Sequence, residues 1–301
     1  MLEGRIYDAI QVKCMIVDYS TSNLFVSMTS RLEAAGMESA RTEASWLLMH
    51  VTGRSKVDVI SRPNEAVSSE QITRIEGLLR RRIAGEPIQY LIGSADFYGR
   101  TFAVTPDVLI PRPETEELVE RILNLGPDVL NGGVVDLGTG SGCIPSSIAC
   151  ELVNVECVGV DVSEEALVVA KSNAHSLGAS VEWVLADMRD ERLSALLGRT
   201  FSVLVSNPPY VPDEEAGSLQ REVHDHEPHL ALFSGPDPLH FYRAICEQAP
   251  RLVHSGGHIM VEIHADAGPS VVTLFEQCGL IDPALHSDLS GRDRIVHAKV
   301  G

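Results

Sequence analysis

Apolar side chains recur three and four positions apart through residues 22–85, the period of one helix face, in three successive runs: SNLFVSMTSRLEAAGM, SARTEASWLLMHVTG and SSEQITRIEGLLRRRIAG. Each run begins at serine, whose hydroxyl can accept a hydrogen bond from a free N–H of the first turn, and ends at or near glycine, which terminates helices readily. The spacing predicts a small all-helical domain over residues 1–86. Past Gly85 and Pro87 the period breaks. Residues 88–110, IQYLIGSADFYGRTFAVTPDVLI, are aromatic and β-branched with glycine punctuation, which predicts an irregular β-hairpin or short strands within a linker at 87–112.

Over residues 113–301 helical and strand-like runs alternate. PETEELVERILNL, CIPSSIACEL and SEEALVVAKSNAHSLG read as helices, and GGVVDLG, VECVGVD, SVEWVLAD and TFSVLVS as strands. After residue 235, DPLHFYRAICEQAPRLV and GPSVVTLFEQCGL add two helices, while GGHIMVEIH, PALHSDL and DRIVHAKV add three strands. The central strands are continuous apolar runs, as a parallel sheet requires when helices cover both of its faces. The fold class expected is α/β.

Composition narrows the function. The 301 residues, 44% hydrophobic and 22% charged, suit a folded chain of about two domains. No apolar run reaches the roughly 18 residues of a membrane span, since Asp136, Asp161 and Glu262 interrupt the longest ones. Asp8, Gln11, Lys13 and Asp18 break up the first twenty residues, so no secretory leader is expected and the chain reads as cytoplasmic. The cysteines at 14, 143, 150, 157, 246 and 278 form no CxxC pair and read as buried, reduced thiols. Residues 1–100 carry 12 Lys and Arg against 12 Asp and Glu, and the remainder carries 12 against 30. The formal charge of −18 therefore sits in the second part, where it repels phosphate backbones and makes nucleic acid a poor partner. Arg80, Arg81 and Arg82 read as a solvated helix end that complements the macrodipole.

Two motifs carry chemistry. Val134 to Leu137 lead into Gly138, Thr139, Gly140, Ser141 and Gly142, a strand running into a glycine-rich turn that opens a helix. Glycines admit a ligand close to the backbone, and the helix start favours an anionic group. The loop is GxGxG with Asp136 just ahead of it, a shape that suits the amino-acid end of S-adenosylmethionine (AdoMet) better than a pyrophosphate. Asp161 closes the next strand about 20 residues on, where a carboxylate can accept both ribose hydroxyls, the plain alternative being a helix N-cap. Asp187 and Met188 end the third strand, positioned for an adenine amine and ring. Pro145, in a first helical turn, gives up only an N–H with no intrahelical partner.

The strand TFSVLVS ends in Asn207, Pro208, Pro209 and Tyr210. A planar amide or aromatic amine is a poor nucleophile because its lone pair is delocalised. Two acceptors on its N–H groups, the Asn207 side-chain carbonyl and the Pro208 backbone carbonyl, can turn that lone pair toward an electrophilic methyl. The prolines stiffen the turn, and Tyr210 offers a stacking surface. Ligands of such sheets lie at the carboxyl ends of the strands.

DLGTGSG at 136, GVDVS at 159, NPPY at 207, and above all GEPIQYLIGSADFYGRTFAVTPDVLIPRPETE at 85–116 resemble the HemK/PrmC family of protein-(glutamine N5) methyltransferases. The likeness runs from about residue 24 to 300 and takes in HEPHLAL and GRDRIV. It implies a helical substrate-docking domain, a β-hairpin linker and a seven-stranded, Rossmann-like class I AdoMet-dependent methyltransferase domain. It also implies methylation of the glutamine in the Gly-Gly-Gln motif of class I peptide chain release factors, and so a part in translation termination. Carried over by position, Asn207, Pro208 and Tyr210 are catalytic; Gly138 to Gly142, Asp161, Asp187, Met188 and Asn207 bind AdoMet. Asn207 to Tyr210 and Arg112 bind substrate. Pro113, Glu114 and Thr115 share the linker motif that borders the pocket.

No metal is expected, the triplet His224, His226 and His229 included, and the protein is expected to be monomeric with no membrane partner. Met188, Pro145 and His264-Ala265 depart from the family pattern and bear on affinity. Glutamine methylation of a ribosomal protein, or amino-methylation of DNA or RNA, are the alternatives that the motifs leave open.

Overall fold

The computed structural model describes residues 19–152 and 154–301. The leader reading and Cys14 lie outside the described residues. Two compact units divide the chain between Ala84 and Gly85.

In the first unit, α1 (Thr21–Ala34), α2 (Ala40–Thr52), α3 (Lys56–Ser61) and α4 (Ser69–Ile83) follow one another. Serine starts them: Ser20 accepts from Asn23 N, and Ser55 and Ser68 form capping boxes with Asp58 and Gln71. Met28 and Leu32 of α1, Leu47 and Leu48 of α2, and Ile75 and Leu79 of α4 are the buried positions that the helical spacing marks. The arginine cluster corrects the reading from sequence. Arg82 is buried and donates to both carboxylate oxygens of Glu43, at 2.7 and 3.0 Å, so it ties α4 to α2 rather than facing solvent. The guanidinium fork matches a carboxylate, which is how so polar a pair tolerates burial.

The second unit opens with α5 (Ile88–Ile92), a helical turn where strand or hairpin was expected. It buries Ile88, Tyr90 and Leu91. The hairpin is β1 (Ser94–Phe97) with β2 (Arg100–Ala103), paired antiparallel. After it come α6 (Pro113–Leu123), α7 (Pro127–Leu130), β3 (Val134–Leu137), α8 (Cys143–Glu151), β4 (Cys157–Asp161) and α9 (Glu164–Leu177). Next are β5 (Val181–Leu185), α10 (Leu193–Leu197) and β6 (Phe201–Ser206). Residues 211–235, unassigned from sequence, hold β7 (Val211–Pro212), a 3-10 turn (Asp213–Ser218), α11 (Arg221–His226), α12 (His229–Leu232) and β8 (Phe233–Gly235). The unit closes with α13 (His240–Leu252), β9 (Val253–Glu262), α14 (Gly268–Gln277), β10 (Ile281–Ser287) and β11 (Asp293–Lys299).

The seven-stranded sheet has the order β10-β11-β9-β6-β3-β4-β5. From β9 to β5 every pairing is parallel, and β11 alone runs against its two neighbours. Alternate residues of each strand enter opposite cores. Val135, Leu137, Val158, Val160 and Leu204 pack with Tyr242, Ile245 and Phe275, whereas Val134, Cys157, Val203 and Val205 pack with Leu118, Ile122 and Ile148. A two-residue period buried on both faces explains why these strands read as unbroken apolar runs. Strand order reverses between β3 and β6, so a crevice opens at their carboxyl ends.

The thiol reading needs one correction. Cys143, Cys157 and Cys246 are buried and Cys150 half-buried, but Cys278, just past α14, is exposed.

Candidate active site

A cavity of about 360 Å³ lies at the carboxyl ends of the parallel strands, within the size range of small-molecule sites. Its walls include Gly138, Gly140, Asp161, Asp187, Met188, Asn207 and Pro209 among the residues singled out from sequence. The wall also includes Pro106 to Leu109, within the motif at 85–116, Pro228, Leu230 and Ala231, within HEPHLAL, and Phe241, none of which was given a role of its own from sequence.

The glycine loop takes its shape from backbone that other residues rarely adopt. Gly142 has φ +73, and a Cβ there would come within 2.6 Å of the Trp183 ring and 2.9 Å of the Ala170 side chain. Gly140 has φ +54, and the space its Cβ would enter is open. Its N–H donates to Asp161 Oδ2 at 2.8 Å, while Asp161 Oδ1 accepts from Ser163 N. Ser163, not Asp161, caps α9 by accepting from Ala166 N, which leaves the spare lone pairs of Asp161 for a ligand. Burial raises the Asp161 pKa, against the pull of those backbone N–H groups.

Below the loop, Asp136 is completely buried. Its Oδ2 accepts from Thr139 Oγ1 at 2.6 Å, its Oδ1 has no partner, and burial pushes its pKa up to about 7. Thr139 is thus turned inward. The Ser141 carbonyl accepts from Asn173 Nδ2, and the same Asn173 side chain bonds Ala103 through both its N–H and its carbonyl. One amide on α9 therefore ties β2 to the glycine loop.

On the far wall Asp187 holds Arg189 by several hydrogen bonds, the shortest 2.6 Å, and these lower its pKa. The Arg189 guanidinium lies 5.7 Å from the Phe241 ring centre. Met188 packs into the core, its Cε 3.1 Å from where a Gly138 Cβ would be. The open side of Gly140, the acidic tip of β4 and the thioether and phenyl groups beyond it fit a nucleoside carrying an amino-acid tail.

Asn207, at the tip of β6, donates from Nδ2 to Thr115 Oγ1 at 3.2 Å. Thr115 in turn donates to Glu262 Oε2 at 2.6 Å. Tyr210 is not a wall of this cavity. Its hydroxyl donates to Glu262 Oε1 at 3.4 Å, and its ring meets the His264 ring edge-on, with centres 6.1 Å apart. Burial, then the Glu262 charge, raises the Tyr210 pKa. Glu262 itself is buried at the end of β9, and burial pushes its pKa up to about 7 despite Thr115 and nearby Arg294.

Arg112 is likewise held behind the wall. Its guanidinium pairs at 2.5 Å with Glu227, whose other oxygen accepts from Ile110 N at 3.2 Å, so the linker is latched to the segment before α12. Glu227 and Glu262 were missed as individual residues. The signal available for Glu262 was an acidic residue inside the apolar run HIMVEIH, whereas Glu227 lies among the polar residues of REVHDHEPHL and carried none. His224 Nδ1 lies 2.8 Å from Asp225 and His229 Nε2 lies 2.9 Å from the His224 carbonyl. Among the described residues no group of three or more His, Cys, Asp or Glu is arranged to hold a metal.

Sheet order, glycine loop and strand-tip cavity together define a class I AdoMet-dependent methyltransferase. The PrmC N-terminal domain model matches residues 23–93 and the methyltransferase small domain model residues 115–229. The release factor glutamine methyltransferase of Geobacter sulfurreducens is 37% identical over 270 residues, covering 90% of this chain and 93% of its own. That of Koribacter versatilis is 41% identical over 240 residues, covering 79% and 84%. The chain belongs to the release factor glutamine methyltransferase family. Among solved structures, the hMettl16 catalytic domain in complex with a 3'UTR hairpin aligns with a TM-score of 0.50 at 13% identity, over 78% of this chain and 83% of that one. At that identity the likeness speaks for the fold alone.

Proposed function

We propose that this protein transfers a methyl group from AdoMet to the side-chain nitrogen of the glutamine in the Gly-Gly-Gln motif of class I release factors, and that Asn207 is the centre of the reaction. The observation that carries the reading is the presence of Asn207 in the same cavity wall as Gly140 and Asp161, so that an amide acceptor and a nucleoside-type site face one space.

AdoMet supplies a methyl group on a sulfonium, which is already an excellent leaving group. The protein's work is therefore orientation, an effect that can reach about 7–11 kcal/mol. The Asn207 side-chain carbonyl and the Pro208 backbone carbonyl accept the two N–H groups of the target carboxamide and turn its nitrogen toward the donor. The same oxygens stabilise positive charge as it grows on that nitrogen. Asp161 binds the ribose hydroxyls, and Asp187 with Met188 borders the adenine. The loop from Gly138 to Gly142 takes the amino-acid tail. Pro209 and Tyr210 brace the turn, and Arg112 acts from behind through Glu227. A strong base on the protein is unnecessary, because the methylated amide is far more acidic and loses its proton afterwards.

The helical unit serves as the docking surface for the protein substrate. The enzyme works as a cytoplasmic monomer, on protein rather than nucleic acid and away from membranes. The acidic charge of residues 101–301 supports a protein rather than a nucleic-acid partner, and among the described residues no helix is long and apolar enough to cross a membrane.

The test is transfer of labelled methyl from AdoMet to purified release factors, with a control factor whose loop glutamine is replaced. Label should appear in the first and not in the second. Asn207→Ala should reduce kcat by about 100-fold or more while AdoMet affinity stays within about threefold. Full activity in that variant would remove Asn207 from the reaction.

A further inference from the structure

A carboxamide that must accept hydrogen bonds from its target is useful in only one of its two flipped forms, and the hydrogen bonds behind Asn207 select that form. Burial pushes the Glu262 pKa up to about 7 despite nearby Arg294; ionised above that pH, Glu262 accepts the hydroxyl hydrogens of Thr115 and Tyr210, at 2.6 and 3.4 Å. The one hydrogen of Thr115 is thereby committed to Glu262 Oε2, so Thr115 Oγ1 has only lone pairs left to offer Asn207. Only an N–H satisfies them. The contact is Nδ2 to Oγ1, at 3.2 Å. The flipped amide would set one oxygen against another with no hydrogen between them.

Water does not relieve such a mismatch easily here, since Thr115 is 3% and Glu262 1% exposed. Glu262 is also held along its backbone, where its carbonyl accepts from the Tyr242 hydroxyl at 3.1 Å. Three distant segments, the start of α6, the tip of β6 and the end of β9, thus converge on one amide.

We infer that Thr115 and Glu262 are positioning residues for the methyl transfer: they form a hydrogen-bond relay that holds Asn207 with Nδ2 toward the protein interior and Oδ1 free for the substrate carboxamide. The inference rests on the reading of Asn207 as the acceptor of the target amide.

Thr115→Val keeps the shape of the side chain and removes the hydroxyl, and Thr115→Ser restores it. The valine variant should lose kcat by about tenfold or more. By calorimetry with S-adenosylhomocysteine bound, it should bind a Gly-Gly-Gln peptide about fivefold or more weakly. Its affinity for S-adenosylhomocysteine should stay within about twofold, because the relay touches only Asn207. The serine variant should lie within about threefold of the parent in each measurement. A valine variant as active as the parent, or a serine variant as impaired as the valine one, overturns the relay. If the valine variant does not fold, Thr115→Ala against Thr115→Ser gives the same comparison without added bulk. Asn207→Ala, run alongside, separates two failures. Loss there with normal Thr115→Val activity rejects the relay alone, while normal activity in Asn207→Ala rejects the reading on which the relay rests.

Discussion

Single residues in this protein take their roles from what surrounds them more than from their type. Gly142 is glycine because two demands meet there, a left-handed backbone and the Trp183 ring beside it. Gly142→Ala is expected to cost about 1–3 kcal/mol, through a strained φ and displacement of Trp183. Chemical denaturation of the purified variant measures that loss, and an unchanged midpoint would show that the loop yields without strain. Asp161 and Asp187 are both acidic ends of neighbouring strands, yet burial raises the pKa of the first while a guanidinium lowers that of the second. The first is a partner for hydroxyl groups, and the second is partly engaged by its own neighbour. A strand-closing Asp can be picked out in a sequence. Its partners cannot, because the groups around the Asp187–Arg189 pair come from far along the chain, as Phe241 does.

Helices and strands show a similar division. In the helical unit the spacing of Leu and Met marks the buried face of α1, α2 and α4, yet Arg82 lies on that face as well, opposite Glu43. Removing one partner of a buried ion pair leaves the other charge stranded. Arg82→Met should therefore lower the unfolding free energy by about 3–5 kcal/mol, and Arg82→Met with Glu43→Met should recover much of it. Urea denaturation of these variants and of Glu43→Met alone measures the effects, and a double-variant loss equal to the sum of the two single losses would show that the pair is not coupled. Strand β6 shows the converse case. Its six residues are all buried, so its apolar run is plain in the sequence, and NPPY after it stands out because prolines cannot continue a sheet. The small elements between 211 and 235 lack any such period. Their form depends on anchors such as Glu227, which reaches across 115 residues to Arg112.

Across the catalytic unit, two fully buried carboxylates make stability depend on pH. Asp136 and Glu262 are pushed up to about 7 by burial, whereas in the unfolded chain such groups ionise near 4. Between those values the native state holds more protons, so their contribution is complete below about pH 4 and is lost as pH rises through about 7. Burial lowers the pKa of His258, His286 and His297, which works in the opposite sense as pH rises through about 6.5, where free imidazole loses its proton. Relative to Asp136→Asn with Glu262→Gln, which shares the histidine effect, the ligand-free parent should therefore lose stability from about pH 4 to about 7, by up to about 1.4 kcal/mol per pH unit for each carboxylate. Calorimetric melting of both proteins from pH 4 to 8 should show this difference in slope. An equal slope in parent and variant would mean that both carboxylates stay ionised in the fold.

Local periodicity and composition were enough to read the alternation of helices and strands, the acidic second part, the glycine turn and the proline-stiffened strand tip. Those features are legible because each depends on near neighbours: a two-residue period buried on both faces, a left-handed turn, a ring that removes an N–H. The Asn207–Thr115–Glu262 relay, the Arg112–Glu227 latch and the Arg82–Glu43 pair are of another kind. Their partners lie 92, 147, 115 and 39 residues apart, and whether a polar side chain is satisfied or stranded is settled only when packing excludes water around it.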